Sequence, residues 1–171
     1  MSWTLGRSRF VYAASYVVAA VVAALVWMAA PDLGLYARAM AAGAAATAVL
    51  YVAGMFFSNS GFYDVYWSLA PVAFGLLWLV EASAWRNTRA ILAVTVTAAW
   101  GLRLTFNWVR HFQGLGHEDW RYVDLRQKTG RLYPLASLFA LHVLPYSLVS
   151  LGSLPIYTAI QSRARLGAVE V

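Results

Sequence analysis

The sequence predicts an all-α integral membrane protein, built as a bundle of about five transmembrane helices with a short cytoplasmic amphipathic helix. Three observations lead to this prediction. Hydrophobic residues make up 61% of the 171 residues and charged residues only 12%, whereas a soluble domain carries about 25% charged residues. The mean hydropathy is +0.61. Apolar runs of about 20 residues, long enough to cross a bilayer core, alternate with short polar segments.

The spans predicted from these runs are residues 10–30, 36–57, 65–84, 90–109 and 134–160. Residues 110–133 form the cytoplasmic segment between the last two spans, and we treat residues 1–171 as a single membrane domain. The first run has some features of a signal peptide, because cations precede it and small residues end it. It is longer than the roughly 7–15 residues usual for the apolar part of such a peptide. We therefore expect it to be a retained span.

The net charge of +6 does not predict a nucleic-acid-binding protein. All of the 13 basic residues except Lys128 are arginines, and they sit between apolar runs instead of forming one block. Such residues are typical membrane-flanking cations, so we expect a lipid bilayer as partner and no nucleic acid.

The distribution of these cations predicts an orientation. With five spans, the amino terminus and residues 110–133 lie on the same side of the membrane. That side holds Arg7, Arg9, Arg110, Arg121, Arg126, Lys128 and Arg131. The other side holds Arg38, Arg86, Arg89, Arg163 and Arg165. Because positive residues favour the cytoplasm, we expect the amino terminus and residues 110–133 to be cytoplasmic.

Cysteine and histidine usage argues against a metal centre. The chain has no Cys, which excludes disulfides, thiolate catalysis and Cys-based metal sites. His142 stands alone on an apolar span, so we expect a buried core or cavity residue and not a ligand. His111 and His117 flank a glycine-containing turn, where we expect them to be solvated.

A polar stripe rises into the fourth span. Arg103, Asn107 and Arg110 are spaced at i, i+4 and i+7, so they share one helix face. Arginines at membrane depth usually face a bundle interior or a watery cavity, which favours a phosphate or other anion site. In the alternative interpretation, Arg103 extends its side chain towards the interface and pairs with a carboxylate such as Asp64. Spacing leaves both interpretations open.

Residues 116–130 have the pattern of a short amphipathic helix. Glu118 and Asp119 provide an acidic start, and a glycine follows the last turn. Such a helix is most often interfacial. A nucleotide-binding role stays open beside that interpretation, because arginines can bind phosphates and carboxylates can bind ribose hydroxyls. The residues available for this role are Glu118, Asp119, Arg121 and Arg126.

Two motifs give the sequence a resemblance to a known family. WGLRL occupies residues 100–104, and EDWRY occupies residues 118–122. With the Asn-Ser pair at residues 59–60 and Asp64, they make the chain resemble the DUF1295 membrane proteins, relatives of the steroid 5-alpha-reductases. These belong to the wider group of membrane reductases and isoprenylcysteine methyltransferases. The resemblance covers roughly residues 45–160.

The resemblance implies an NAD(P)H-dependent oxidoreductase of lipid metabolism. NADPH would lie at the cytoplasmic end, and its hydride would go to a carbon–carbon double bond conjugated to the carbonyl of a lipophilic substrate. The expected cofactor-binding residues are Arg103, Asn107, Arg110, Glu118, Asp119 and Arg121. An acid in the bundle would polarise the carbonyl, and the catalytic candidates are Asp64, Tyr63 and Asn59.

One departure from the family pattern affects this expectation. Family members continue into further spans and a carboxyl-terminal cofactor motif of the form Tyr-x-x-His-Pro-x-Tyr, which is absent from this chain. We therefore expect the amino-terminal part of a reductase, completed by a carboxyl-terminal companion segment or by homo-oligomerisation. The alternative function is that of a non-catalytic membrane scaffold or transporter-like subunit.

Overall fold

Four long helices and one segmented helical run make up the protein. The structure is a computed structural model that describes residues 3–162, and this range contains no β-strand. The long helices are α1 (Leu5–Ala29), α2 (Leu35–Phe56), α3 (Tyr66–Glu81) and α4 (Thr88–His111). The run contains α5 (Trp120–Thr129), α6 (Tyr133–Ser137), α7 (Leu144–Gly152) and α8 (Leu154–Gln161). Five helical stretches are long and apolar enough to span a membrane, so this is an integral membrane protein.

Local capping explains why two helices extend beyond the apolar runs. Thr4 caps α1, because its hydroxyl accepts the Arg7 N–H at 3.3 Å. The helix therefore begins before the charged residues that bound the predicted span. Asn87 caps α4 by accepting the Ala90 N–H at 3.2 Å, and α4 continues to His111. Both helices therefore include polar residues beyond the ends of their apolar runs.

The predicted amphipathic helix is α5, and Asp119 is its N-cap. The carboxylate of Asp119 accepts the Arg121 N–H at 2.9 Å. Trp120 is 74% exposed, whereas Tyr122 and Arg126 are partly buried against the protein. A 3₁₀ turn at Gly130–Leu132 joins α5 directly to α6, so the amphipathic helix leads straight into the fifth span.

Prolines divide the fifth span into short helices. Pro145 and Pro155 each stand in the first turn of a new segment, α7 and α8, where a missing N–H does least harm. A π-helical turn at Leu138–Val143 precedes α7. Hydroxyl groups bind carbonyl groups of this run, as Ser147 does with the Val143 carbonyl at 2.8 Å. Such contacts add hydrogen bonds to backbone carbonyls of a run that its prolines interrupt.

Helices α3 and α4 approach each other closely at Gly101. A Cβ atom at this position would collide with the carbonyl oxygen of Ser68 and lie 2.8 Å from a methyl carbon of Val72. Beside this contact, the hydroxyls of Ser68 and Thr105 are hydrogen-bonded at 3.1 Å. Small residues that allow two backbones to meet are typical of helix packing in membranes. This contact sets the position of α4 relative to α3.

We predict that Gly101→Ala destabilises the protein by about 1–3 kcal/mol, because the added methyl group overpacks a contact with backbone atoms. Thermal unfolding in detergent should show a lower melting temperature. The matched control is Gly6→Ala in α1, where an added Cβ meets nothing within 4 Å. Equal melting temperatures for the two variants would contradict the close α3–α4 contact.

Candidate functional site

A polar cavity of about 510 Å³ lies where the turn before α3, the end of α4 and the start of α5 meet. We call it the polar cavity. It is lined by residues from α1, α3, α4 and α5, from the segment before α3 and from the loop after α4. The polar residues that line it include Asn59, Asp64, Asn107, Asp119, Arg121 and Tyr122. Titratable and amide groups therefore converge at one end of an otherwise apolar bundle.

Asn59 holds this end of the protein together. Its side chain is almost fully buried and uses both ends of the amide group. The amide nitrogen donates to the carbonyls of Leu115 at 3.1 Å and His117 at 2.9 Å. The amide oxygen accepts the Gly61 N–H at 2.9 Å, which caps the 3₁₀ turn Ser60–Tyr63. One side chain thus binds the loop after α4 to the turn before α3.

Glu118 provides a second tie between the same two segments. Its carboxylate accepts the Ser60 N–H at 2.7 Å and pairs with Arg126 at 3.0 Å. The Arg126 guanidinium also lies over the ring of Tyr133, 3.9 Å from its centroid. Through these contacts Glu118 and Arg126 help to hold the start of α5 against the turn before α3.

Asp64 and Tyr122 form the tie that faces the cavity. Asp64 lies between the 3₁₀ turn and α3, and Tyr122 belongs to the first turn of α5. The Tyr122 hydroxyl donates a hydrogen bond to the Asp64 carboxylate. Both side chains line the cavity, and both are partly buried. A carboxyl and a phenol in direct contact can share and transfer a proton.

Asp119 and Arg121, which also line the cavity, form a two-point ion pair at the start of α5. Arg121 donates to the two carboxylate oxygens of Asp119 at 2.8 and 2.9 Å. Hydrogen bonds from Arg121 hold the pKa of Asp119 below its usual range. The positive charge of Arg121 is therefore already compensated by a neighbour.

Only part of the polar stripe on α4 lines this cavity. Asn107 lines the cavity, whereas Arg103 and Arg110 are exposed and do not line it. Within residues 3–162 neither arginine makes an ion pair. Of the two interpretations left open for Arg103, a pair with Asp64 is not formed in the described residues, where Asp64 accepts a hydrogen bond from Tyr122. Both arginines flank Asn107 by about one helical turn, so they border the cavity.

Aromatic rings of Tyr12 in α1, Trp108 in α4 and Phe112 just after α4 also line the cavity. Tyr12 stacks on Phe62 with ring centroids 4.1 Å apart, and it contacts Trp108 and Phe112 at 5.3 and 4.9 Å. The first helix also binds the loop directly, because Ser8 accepts the Leu115 N–H at 3.0 Å. The start of α1 and the loop after α4 therefore lie at the same end of the bundle.

Comparison with known proteins identifies the family. The family described as "Protein of unknown function (DUF1295)" matches residues 50–171. The chain belongs to the DUF1295 family. No curated protein and no solved structure matches it. The match includes Asn59, Asp64 and Tyr122 but excludes Tyr12 and the rest of α1.

The cavity of this DUF1295 protein brings together only part of the set predicted from the sequence. Five of the predicted residues line it: Asn59, Asp64, Asn107, Asp119 and Arg121. Tyr63 does not, because its buried ring packs on Tyr66 and His142. Glu118 binds Ser60 and Arg126 instead, and Arg103 and Arg110 lie outside the cavity.

Tyr122 and Tyr12 are among the cavity residues of the DUF1295 protein that sequence reasoning missed. Tyr122 was visible in the EDWRY motif, but nothing in the motif indicated that it would meet Asp64. Tyr12 lies in a continuous apolar run that gives no signal for a site.

The histidines of the DUF1295 protein fall into two groups. His111 and His117 are exposed, as predicted, and they also line the cavity. His142 is fully buried, also as predicted, and one ring nitrogen lies 2.9 Å from the Ser137 carbonyl oxygen. In the described part of the chain, no three His, Cys, Asp or Glu residues are arranged to hold a metal ion.

We predict that Asn59→Asp loosens the loop after α4, because a carboxylate oxygen would replace the donor that faces two carbonyl groups. The cost should be about 1–3 kcal/mol. Hydrogen–deuterium exchange should become faster across residues 112–119. Asn107→Asp is the matched control, because Asn107 lines the same cavity but is exposed. The same exchange pattern in both variants would show that Asn59 does not hold the loop.

Proposed function

We propose that this protein is a membrane-embedded NAD(P)H-dependent reductase of a lipophilic conjugated carbonyl compound, or the amino-terminal part of one. The single observation that carries the proposal is the hydrogen bond between Tyr122 and Asp64 in the polar cavity. It joins a phenol, which can donate a proton, to a carboxyl group, which can replace that proton, at the edge of an apolar helix bundle. The family assignment agrees with the proposal but does not specify an activity.

Reduction of such a substrate requires a hydrogen-bond or proton donor beside the carbonyl oxygen. When hydride adds to the carbon–carbon double bond, negative charge develops on the carbonyl oxygen, and a positioned donor must stabilise it. Bound NAD(P)H would supply the hydride, so the protein must supply the proton. A phenol backed by a carboxyl group meets this demand without a metal ion.

The Asp64–Tyr122 contact supports a short proton relay. With Asp64 protonated, its hydrogen bond to Tyr122 reverses in direction. Tyr122 then gives its proton to the enolate oxygen of the substrate while Asp64 gives its own proton to Tyr122. The resulting enol tautomerises to the saturated carbonyl compound, and water returns a proton to Asp64. The net addition is one hydride and one proton.

The arginines bordering the cavity fit a dinucleotide. Arg103 and Arg110 carry charges that no described carboxylate compensates, and they flank Asn107, whose amide group can bind a polar ring substituent. Pyrophosphate would bind to these two arginines, because guanidinium groups suit phosphate oxygens. Arg121 is committed to Asp119, so we assign it to shaping the cavity wall and not to binding phosphate.

The proposal includes the cytoplasmic orientation predicted from the charges. The Ser8–Leu115 hydrogen bond supports it, because it places the basic start of α1 and the polar cavity at the same end of the bundle. Arg163 and Arg165, which belong to the charge count of the other side, lie outside the described residues. A carboxyl-terminal companion segment or a second copy of the chain remains part of the proposal, because α4 exposes Arg103 and Arg110.

We predict that Tyr122→Phe lowers turnover by roughly 100-fold while leaving NADPH affinity unchanged, because it removes the proton donor but no phosphate contact. The measurement is NADPH oxidation by the protein in lipid nanodiscs with a long-chain α,β-unsaturated ketone. Tyr51→Phe is the control, because the Tyr51 hydroxyl bonds to the Pro134 carbonyl outside the cavity.

Two results would count against the proposal. Full turnover in Tyr122→Phe would remove Tyr122 from the acid role. If the unaltered protein neither bound NADPH nor oxidised it, the alternative of a non-catalytic scaffold or transporter-like subunit would be favoured.

A further inference from the structure

A second cavity, partly open to the surface of the bundle, lies among α3, α4, α7 and α8. We call it the apolar cavity. Its volume is about 600 Å³, and its lining is almost entirely hydrocarbon and aromatic. The residues that matter for the argument are Pro71, Val96, Trp100, Leu148, Gly152 and Ile156. No titratable group lines it, so it can hold an apolar group but supplies no acid or base.

Trp67 belongs to both cavities. It lines the polar cavity on one side and the apolar cavity on the other, so the two spaces adjoin at this side chain. Its ring meets Trp100 edge-on, with centroids 5.8 Å apart. Both rings are more than a third exposed, so neither is locked into a filled core.

One face of α4 forms a wall of both cavities. Val96 and Trp100 line the apolar cavity, and Leu104, Asn107 and His111 line the polar cavity. Steps of three or four residues keep these side chains on one face. From Val96 to His111 the wall runs for about 22 Å, a large part of the roughly 30 Å thickness of a bilayer core. Its character changes from apolar to polar along the way.

We infer that the two cavities form one groove for an elongated amphipathic substrate, with Trp67 at the boundary. The polar cavity takes the carbonyl head, and the apolar cavity takes a hydrocarbon body that reaches about 12 Å beyond Leu104 to Val96. The identity of the head as a conjugated carbonyl rests on the proposed function. The position and shape of the body follow from the groove alone.

The groove acts through its shape and adds little to the free energy of binding. Lipid tails are as apolar as the groove, so moving a hydrocarbon body from the bilayer into it gains little from the hydrophobic effect. The groove therefore selects by shape and direction, because it aligns the head beside Tyr122. Trp67 is the specificity-determining residue, since any body that continues from the head must pass its ring.

A third cavity provides a discriminating comparison. It lies among α1, α2 and α3, measures about 630 Å³ and is also apolar, with Ala20, Ala23 and Leu77 in its wall. It shares no lining residue with the polar cavity. The polar cavity therefore adjoins the apolar cavity at Trp67 and shares no wall with this third one.

Photo-crosslinking in nanodiscs tests the groove. Two long-chain α,β-unsaturated ketones would carry a diazirine, one beside the head and the other at the chain end, and peptide mass spectrometry would locate the labels. The head probe should label Trp67 or Leu104, and the end probe should label Val96, Leu148 or Ile156. End-probe labelling at Ala20, Ala23 or Leu77, or only the scattered labelling expected of bulk lipid, would overturn the inference.

A cavity-filling variant sharpens the test. An added side chain at Gly152 meets nothing within 4 Å of its Cβ, so Gly152→Leu should fill the apolar cavity without a clash. It should lower end-probe labelling of Val96 by about tenfold or more. Gly6→Leu, with equally open space in α1, should leave the labelling unchanged. Undiminished labelling in a folded Gly152→Leu protein would contradict the groove.

Labelling does not depend on turnover, so the two proposals can fail separately. A probe that labels the groove but is never reduced would refute the proposed reductase and retain the groove. A probe that is reduced but labels elsewhere would refute the groove alone. Trp67→Ala adds a kinetic readout, because it should reduce the discrimination in kcat/KM between long and short chains, whereas Trp67→Phe should preserve much of it.

Discussion

The buried amide of Asn59 is the interaction on which the rest of the site depends. In a membrane bundle, an unpaired backbone group is expensive, so a loop can lie against the helices only if its polar groups are bonded. Asn59 bonds two carbonyls of the loop after α4 and one N–H of the turn before α3. Glu118 and Tyr122 then add further bonds to the same turn. Together these contacts bring α5 against the bundle and enclose the polar cavity.

Some of the charged residues at this end of the bundle are paired within the protein, and others are not. Glu118 and Arg126 neutralise each other within the protein, and so do Asp119 and Arg121. What remains beside the cavity is the Asp64–Tyr122 contact and, on its border, two arginines without described partners. The same face of α4 that borders this polar region continues as the wall of the apolar cavity. The two arginines and the wall of the apolar cavity therefore lie along α4, and the Asp64–Tyr122 contact faces the polar cavity that this helix also lines.

Hydropathy and charge were enough to predict the fold class, the helical stretches and the short helix α5, because lipid demands long apolar helices with polar ends. The site was harder to predict, as Tyr63 and Asp64 illustrate. A 3₁₀ turn rotates by about 120° per residue, so adjacent side chains point in different directions. Asp64 thus reaches the cavity while Tyr63 enters the core. The contact of Asp64 with Tyr122 joins residues far apart in sequence, which periodicity does not reveal.

Isotope transfer tests the central claim, that this bundle reduces a conjugated carbonyl compound, most directly. The protein in nanodiscs would be given NADPH with deuterium at the transferable position of the nicotinamide, together with a long-chain α,β-unsaturated ketone. Mass spectrometry and NMR of the lipid product should find deuterium at the carbon β to the carbonyl and a solvent hydrogen at the α carbon. Product without deuterium at the β carbon, or no reduced product, would contradict the account.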